Sequence, residues 1–191
     1  MAEMGFYIDM TSCIGCHTCQ IACKDAKSLE VGTLFRRVDS YETGSFPTPG
    51  WYHYSHTCNH CESPACVANC PTGAMHVNEE DGSVQHDDET CIGCQTCVKS
   101  CPYSVPQYIE ELGVVHKCDM CHELTAAGEN PACVDACLMR CIEWGEVEKL
   151  KAAHPDAVNK IACMPDSDTE PSTLITPTAA ALKDEFRLRV I

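Results

Sequence analysis

Long apolar runs are missing from this 191-residue chain. No stretch approaches the roughly 20 apolar residues that a bilayer-spanning helix requires, so no direct membrane span is expected. Core-forming residues are scarce too. Leu, Ile, Val and Phe together number 35. That is about 18% of the chain, and less than about 20% with a large net charge is the profile of a chain that cannot order itself by apolar burial alone. Positive charge is in short supply: 13 Lys and Arg face 28 Asp and Glu, for a net charge of −15. Such a balance does not suit a phosphate-backbone binder and sets nucleic acid aside. The opening residues, Met1 to Asp9, have no basic region followed by an apolar one, so no secretory signal is expected. Export as the passenger of a signal-bearing partner stays open.

Cysteine is what the chain has in excess. Its 18 Cys fall into four tetrads. The first is Cys13-x2-Cys16-x2-Cys19-x3-Cys23, and the second is Cys58-x2-Cys61-x4-Cys66-x3-Cys70 followed by Pro71. The third is Cys91-x2-Cys94-x2-Cys97-x3-Cys101 followed by Pro102, and the fourth is Cys118-x2-Cys121-x11-Cys133-x3-Cys137. Cys141 and Cys163 are left over. The C-x2-C-x2-C-x3-C run is the bacterial ferredoxin signature. Three close cysteines on one loop reach three corners of a [4Fe–4S] cube, and the fourth, on a helix pointing away, reaches the neighbouring cube. Tetrads therefore work in pairs, and four tetrads imply four [4Fe–4S] clusters. Zinc fits poorly, because a tetrahedral site is closed by two separated knuckles and not by three cysteines at successive x2 spacings. Disulfide frameworks belong to short secreted chains. Histidine can replace cysteine as an iron ligand, but His17, His60 and His122 adjoin complete cysteine sets and are read as solvated or hydrogen-bonded loop residues.

The first and third tetrads repeat one another, matching at seven of eleven positions from Cys13 to Cys23 and from Cys91 to Cys101. Gly15 and Gly93 stand where the backbone is expected to pass close to a cluster. Short strand-like pieces precede both runs. Residues 53–110 read as a complete two-cluster module, with a hairpin of Met75-His76-Val77 and Ser83-Val84 around the Asp81-Gly82 turn signal. The outer tetrads must find each other across this insert. The expected fold is α+β: two ferredoxin-like modules, the outer split between residues 1–52 and 111–163, the inner at 53–110 nested within it. Residues 144–154 read as one amphipathic helix stopped by Pro155. From 164 to 191, Pro165, Pro171 and Pro177 among Ser and Thr suggest an extended C-terminal arm, which either wraps a partner or trails as a floppy tail. The mixed ending Arg187-Leu188-Arg189-Val190-Ile191 favours the arm.

The four tetrads, their order, and Cys101-Pro102-Tyr103-Ser104-Val105-Pro106-Gln107-Tyr108 leading to His116-Lys117-Cys118-Asp119-Met120-Cys121 resemble the iron–sulfur subunit of the dimethyl sulfoxide reductase (molybdopterin oxidoreductase) family. Phe35-Arg36-Arg37-Val38, Cys58-Asn59-His60-Cys61 and Ile142-Glu143-Trp144-Gly145 fit the same pattern over residues 4–150. The resemblance implies a pairing. Cys13, Cys16, Cys19 and Cys137 would hold cluster 1, and Cys23, Cys118, Cys121 and Cys133 cluster 2. Cys58, Cys61, Cys66 and Cys101 would hold cluster 3, and Cys70, Cys91, Cys94 and Cys97 cluster 4. Some relatives replace the second cysteine of the third tetrad and carry a three-iron cluster; Cys94 is present here, so four cubanes are implied. Leu138 departs from the family's usual Pro after the last ligand, and Cys133-x3-Cys137-x3-Cys141 offers two endings. The Ile142-Glu143-Trp144-Gly145 match makes Cys137 the ligand and Cys141 a buried thiol.

No catalytic residue is expected. Sixteen cysteines saturate four cubes, and Asp9, Asp25 and Asp119 form no acid–base pair or nucleophile constellation. Saturated clusters in a row pass single electrons. Lys24, Arg36, Arg37, Lys99, Lys117 and Arg140 lie near tetrads, and Lys117 either raises the potential of the cluster held by its neighbour Cys118 or is simply solvated. The resemblance implies a large molybdenum or tungsten bis-pterin catalytic subunit at one end of the wire and a quinol-oxidising membrane anchor or other donor at the other. The chain is then cytoplasmic, or exported with its partner, at the periphery of the inner membrane. A subunit of formate dehydrogenase, hydrogenase or nitrite reductase machinery, or a free multicluster ferredoxin, is the alternative.

Overall fold

The computed structural model describes residues 2–189. The elements are short. The first strand, β1 (Met4–Asp9), is followed by α1 (Thr18–Ala26), β2 (Arg37–Thr43) and β3 (Gly50–His56). Then come α2 (Ala65–Ala68), the hairpin β4 (Met75–Val77) and β5 (Val84–His86), α3 (Thr96–Ser100), and a second hairpin, β6 (Gln107–Ile109) and β7 (Val114–His116). The chain continues through α4 (His122–Ala126), α5 (Ala132–Asp135), β8 (Ile142–Glu146), α6 (Val147–Ala153), β9 (Leu174–Thr176) and β10 (Phe186–Arg189). Helices of four to nine residues do not hold themselves in water, so these depend on what they pack against.

β1 organises one half of the molecule. Its Gly5, Phe6, Tyr7 and Ile8 are all buried, the pattern of a strand covered on both faces. β8 lies antiparallel on one edge, with Phe6 opposite Trp144 and Ile8 opposite Ile142. β9 lies parallel on the other, with Tyr7 opposite Leu174. α1 packs on α5 beneath this sheet, and α2 on α3 beside the β4–β5 hairpin. That hairpin is the one expected at Met75–Val77, with Val77 opposite Val84. A second three-stranded sheet, in the order β10-β2-β3, buries Tyr52 and Tyr54 in one cluster with Ile8, Met10 and Ile175.

Two expectations need correction. The helix read over 144–154 begins only at Val147. Trp144, Gly145 and Glu146 are strand, because pairing with Phe6, Gly5 and Met4 satisfies their backbone in register along β1, and tertiary pairing overrides a helical periodicity. The C-terminal segment, read as an arm for a partner or a floppy tail, lies over much of its length against its own chain. Ile175 and Ala181 are fully buried, as nearly are Ser172 and Thr173. Ser172 Oγ donates to the His60 carbonyl at 2.7 Å, and the Tyr103 and Ser167 hydroxyls lie 2.6 Å apart. Further on, β10 pairs with β2, while Phe186 and Leu188 keep 38% and 55% of their surface exposed. Val190 and Ile191, which end the mixed tail, lie outside the described residues.

Candidate iron–sulfur centres

The two repeated loops have one construction. Gly15 and Gly93 adopt φ of +66° and +64°, and His17 and Gln95 follow at +60° and +59°. Each loop thus curls left-handed before its helix starts, a conformation that glycine takes without Cβ strain. Close approach demands glycine as well, though from protein neighbours: a Cβ on Gly15 would meet the His53 ring at 2.4 Å, and one on Gly93 the Gly113 carbonyl at 2.3 Å.

Each loop aims its cysteines into a cavity that a cysteine from the paired tetrad completes. Cys13, Cys16, Cys19 and Cys137 line one. Cys58, Cys61, Cys66 and Cys101 line a second, and Cys70, Cys91, Cys94 and Cys97 a third. For the remaining four, Cys118, Cys133 and Cys121 act electrostatically on Cys23, and Cys118 and Cys121 on Cys133; Cys23, Cys118 and Cys133 are buried in an apolar cluster that also takes in Cys19, Cys58 and Cys137. Three of the expected groups thus each line one cavity, the first together with Cys141. Cys16 and Cys94 are exposed, so the first and fourth sets reach the surface; Cys23, Cys118, Cys121 and Cys133 are all buried, and the third set is half-buried through Cys61 and Cys101.

Cys141 is buried, as expected, but it forms part of the first cavity's wall. Its Sγ is 3.4 Å from Cys137 Sγ, and its amide donates to that sulfur at 3.4 Å. The Met75 amide donates to Cys70 Sγ at the same distance. Cys163 is elsewhere, half-buried beside Tyr41 and Tyr52. His60 is hydrogen-bonded rather than solvated: its Nδ1 accepts the Val84 amide at 3.0 Å, which puts its proton on Nε2. His122 is exposed and His17 half-buried.

Two buried cations run between the sets. Arg36 is 1% exposed. Its Nη1 donates to Ser55 Oγ at 3.1 Å, Ser55 Oγ is 3.3 Å from Cys19 Sγ, and its guanidinium carbon stands 4.8 Å above the Phe6 ring. Burial opposes its charge, but Cys133, Cys19, Cys118 and Cys23 outweigh that and drive its pKa up. Arg36 therefore lies between the first and second sets. Lys117, 4% exposed, donates from Nζ to the carbonyls of Val84 and Cys118. It is not the solvated lysine that the sequence left open. It lines the cavity of Cys58, Cys61, Cys66 and Cys101, so the set it faces most directly is not that of its neighbour Cys118. Sequence proximity pointed to both residues without revealing the burial of either.

The surroundings suit an anionic cluster. Burial pushes the Cys58 thiol up to about 12, against the opposing charge of Lys117, and the Cys133 thiol up to about 11, against Arg36. Thiolates are the ligand form, and such sites ionise only when positive charge is brought to the sulfur. Arg36 Nη2 is buried without a protein partner, a free donor where a cubane with four thiolates, of about −2 charge, would accept it. Elsewhere the polar groups near the loops are structural. Asp9 accepts from Thr11 and Ser12, and Asp119 pairs with Lys27 at 2.7 Å. No helix among the described residues is long and apolar enough to cross a membrane.

Comparison with known proteins agrees with this chemistry. A family model described as a 4Fe-4S dicluster domain matches residues 49–147, and a 4Fe-4S binding domain matches residues 10–30. The chain is 41% identical to a component chain of the anaerobic dimethyl sulfoxide reductase of Escherichia coli strain K12, over 93% of its own length and 90% of that relative. It is 31% identical to one of the subunits of the sulfite dehydrogenase of Allochromatium vinosum, over 93% and 84%. It is 30% identical to the iron-sulfur subunit of the nitrate-inducible formate dehydrogenase of Escherichia coli strain K12, over 84% and 60%. With its cysteine sets, its two 4Fe-4S domains and these relatives, the chain belongs to the iron–sulfur, electron-transfer subunits of the dimethyl sulfoxide reductase family.

Proposed function

We propose that this chain is a non-catalytic relay of four [4Fe–4S] clusters, serving a molybdenum or tungsten bis-pterin catalytic subunit. Each cluster supplies one-electron transfer when bound. The chain's own residues hold and tune it. Cys13, Cys16, Cys19 and Cys137 hold the first; Cys23, Cys118, Cys121 and Cys133 the second. Cys58, Cys61, Cys66 and Cys101 hold the third; Cys70, Cys91, Cys94 and Cys97 the fourth. The observation that carries this reading is the grouping of the cysteines, in which each fourth cysteine faces its partner tetrad's set. The division into an outer module (1–52 with 111–163) and an inner one (53–110) follows the same pairing, and the packing of α1 on α5 and of α2 on α3 supports it.

The order of the relay follows from the cations. Arg36 joins the first and second sets, Lys117 the second and third, and Cys66 and Cys97 of the third and fourth sets share one buried cluster. Both ends carry exposed apolar side chains. Ile14, Ile21, Leu138 and Met139 surround the first set, and Ile92, Tyr108 and Leu112 the fourth, surfaces suited to docking. By the family resemblance the first-set end meets the catalytic subunit, and the fourth-set end meets a quinol-oxidising anchor or another donor, which keeps the chain peripheral to the membrane. Relatives named for dimethyl sulfoxide, sulfite and formate fit a relay whose terminal substrate belongs to its partner. Anaerobically purified protein is expected to hold about sixteen irons per chain and, on reduction, to give the interacting EPR signals of several cubanes. Zinc instead of iron, or markedly fewer irons, overturns the reading.

A further inference from the structure

Outside the cysteine sets, one group of ligand-type side chains converges. His86 ends β5 and His116 ends β7, strands of different hairpins, and Asp88 follows His86 by two residues. His86 Nδ1 lies 3.0 Å from Asp88 Oδ1, and His116 Nε2 lies 2.8 Å from the same oxygen. All three atoms lie within 4.8 Å of one another, and the two imidazoles stand edge to face at 5.3 Å.

We infer that His86, Asp88 and His116 form a binding site for one divalent transition-metal ion, with zinc as its natural occupant. A tetrahedral ion with bonds of about 2.0–2.1 Å sets its ligand atoms about 3.3 Å apart. The carboxylate oxygen is already near that distance from both nitrogens, and Asp88 is the most exposed of the three side chains, at 56%, so it is free to make the small outward shift. Two imidazoles and one carboxylate suit zinc and its neighbours; magnesium and calcium prefer oxygen alone. The exposed side leaves the fourth position to water.

The state of His86 points the same way. Its Nε2 is buried without a protein partner, and the residue lines the cavity of Cys70, Cys91, Cys94 and Cys97. A cation between Nδ1 and Oδ1 would take one bond from each and leave the Nε2 N–H for the buried side. An ion held here would also staple the β4–β5 hairpin to β6–β7 and add positive charge beside the cysteine-lined cavity.

The test uses anaerobically purified protein with its iron in place, freed of loosely held metal and titrated with zinc ions alone. Wild type is expected to bind one zinc per chain with its iron content unchanged. Asp88→Asn and His116→Gln, both at the exposed rim, are expected to weaken that binding at least about tenfold while retaining their iron. Zinc K-edge absorption of the loaded protein should show nitrogen and oxygen neighbours with imidazole scattering. Equal affinity in wild type and both variants, or a sulfur shell around the zinc, overturns the site; iron content, measured in the same samples, tests the cluster reading separately.

Discussion

Arg36 is a full charge in an apolar interior, with Phe6 beneath it, Ser55 on one nitrogen and sulfur on several sides. A buried cation without a counter-ion is costly, so its presence argues for an anion of comparable weight beside it. Removing it should make reduction of the adjacent clusters harder. Arg36→Met is expected to lower the midpoint potentials of the first and second clusters, on the order of 50–100 mV for a unit charge at close range in a protein interior. Lys117→Met should lower chiefly the third. EPR-monitored redox titration of each variant checks both, and an unchanged titration removes the tuning role. Cys141 tests the ligand register: Cys141→Ala should leave the iron content at its wild-type value, whereas loss of about one cluster would make Cys141 the ligand in place of Cys137. The spacing made both endings visible. It did not show that both sulfurs share one cavity wall, because that depends on how residues 137–141 turn back under β1.

At the scale of elements, β1 and its two neighbours carry what apolar core there is. Ile175 in β9 is fully buried against Ile8 and Met10. Ile175→Ala is expected to cost about 2–5 kcal/mol, read as faster bleaching of the cluster absorbance on heating under anaerobic conditions. A wild-type bleaching rate would mean that β9 is not integral to the fold. The β4–β5 hairpin was legible because its strands and turn are adjacent in sequence. The strand at Trp144–Glu146 was not, because its partner lies about 140 residues away and its own pattern suits a helix equally well. Prolines mark the C-terminal segment as extended, but its destination on β1 and beside the second tetrad's loop is a tertiary fact.

Taken whole, the molecule has little apolar core for its length and a net charge of −15. Four cubanes would add about −8 more in place of neutral cysteines. Metal–sulfur bonds of such clusters between distant segments would supply much of the cohesion. Stripping iron with a chelator and an oxidant is therefore expected to melt α1 to α5 together, seen as loss of the far-ultraviolet helical signal, since helices this short are not stable alone. Retention of full helicity after complete iron loss would show that packing suffices without the clusters.

Cysteine spacing, a local property, pointed by itself to iron–sulfur chemistry, and the motifs between the tetrads pointed to the family. Proline and turn signals, equally local, marked the hairpin and the extended tail. Only the tertiary structure decided which charges are buried between the sets, where Cys141 and the tail come to rest, and that His86 and His116 meet at one carboxylate. Those outcomes depend on contacts between residues far apart in the chain, and no short-range pattern encodes the distance between them.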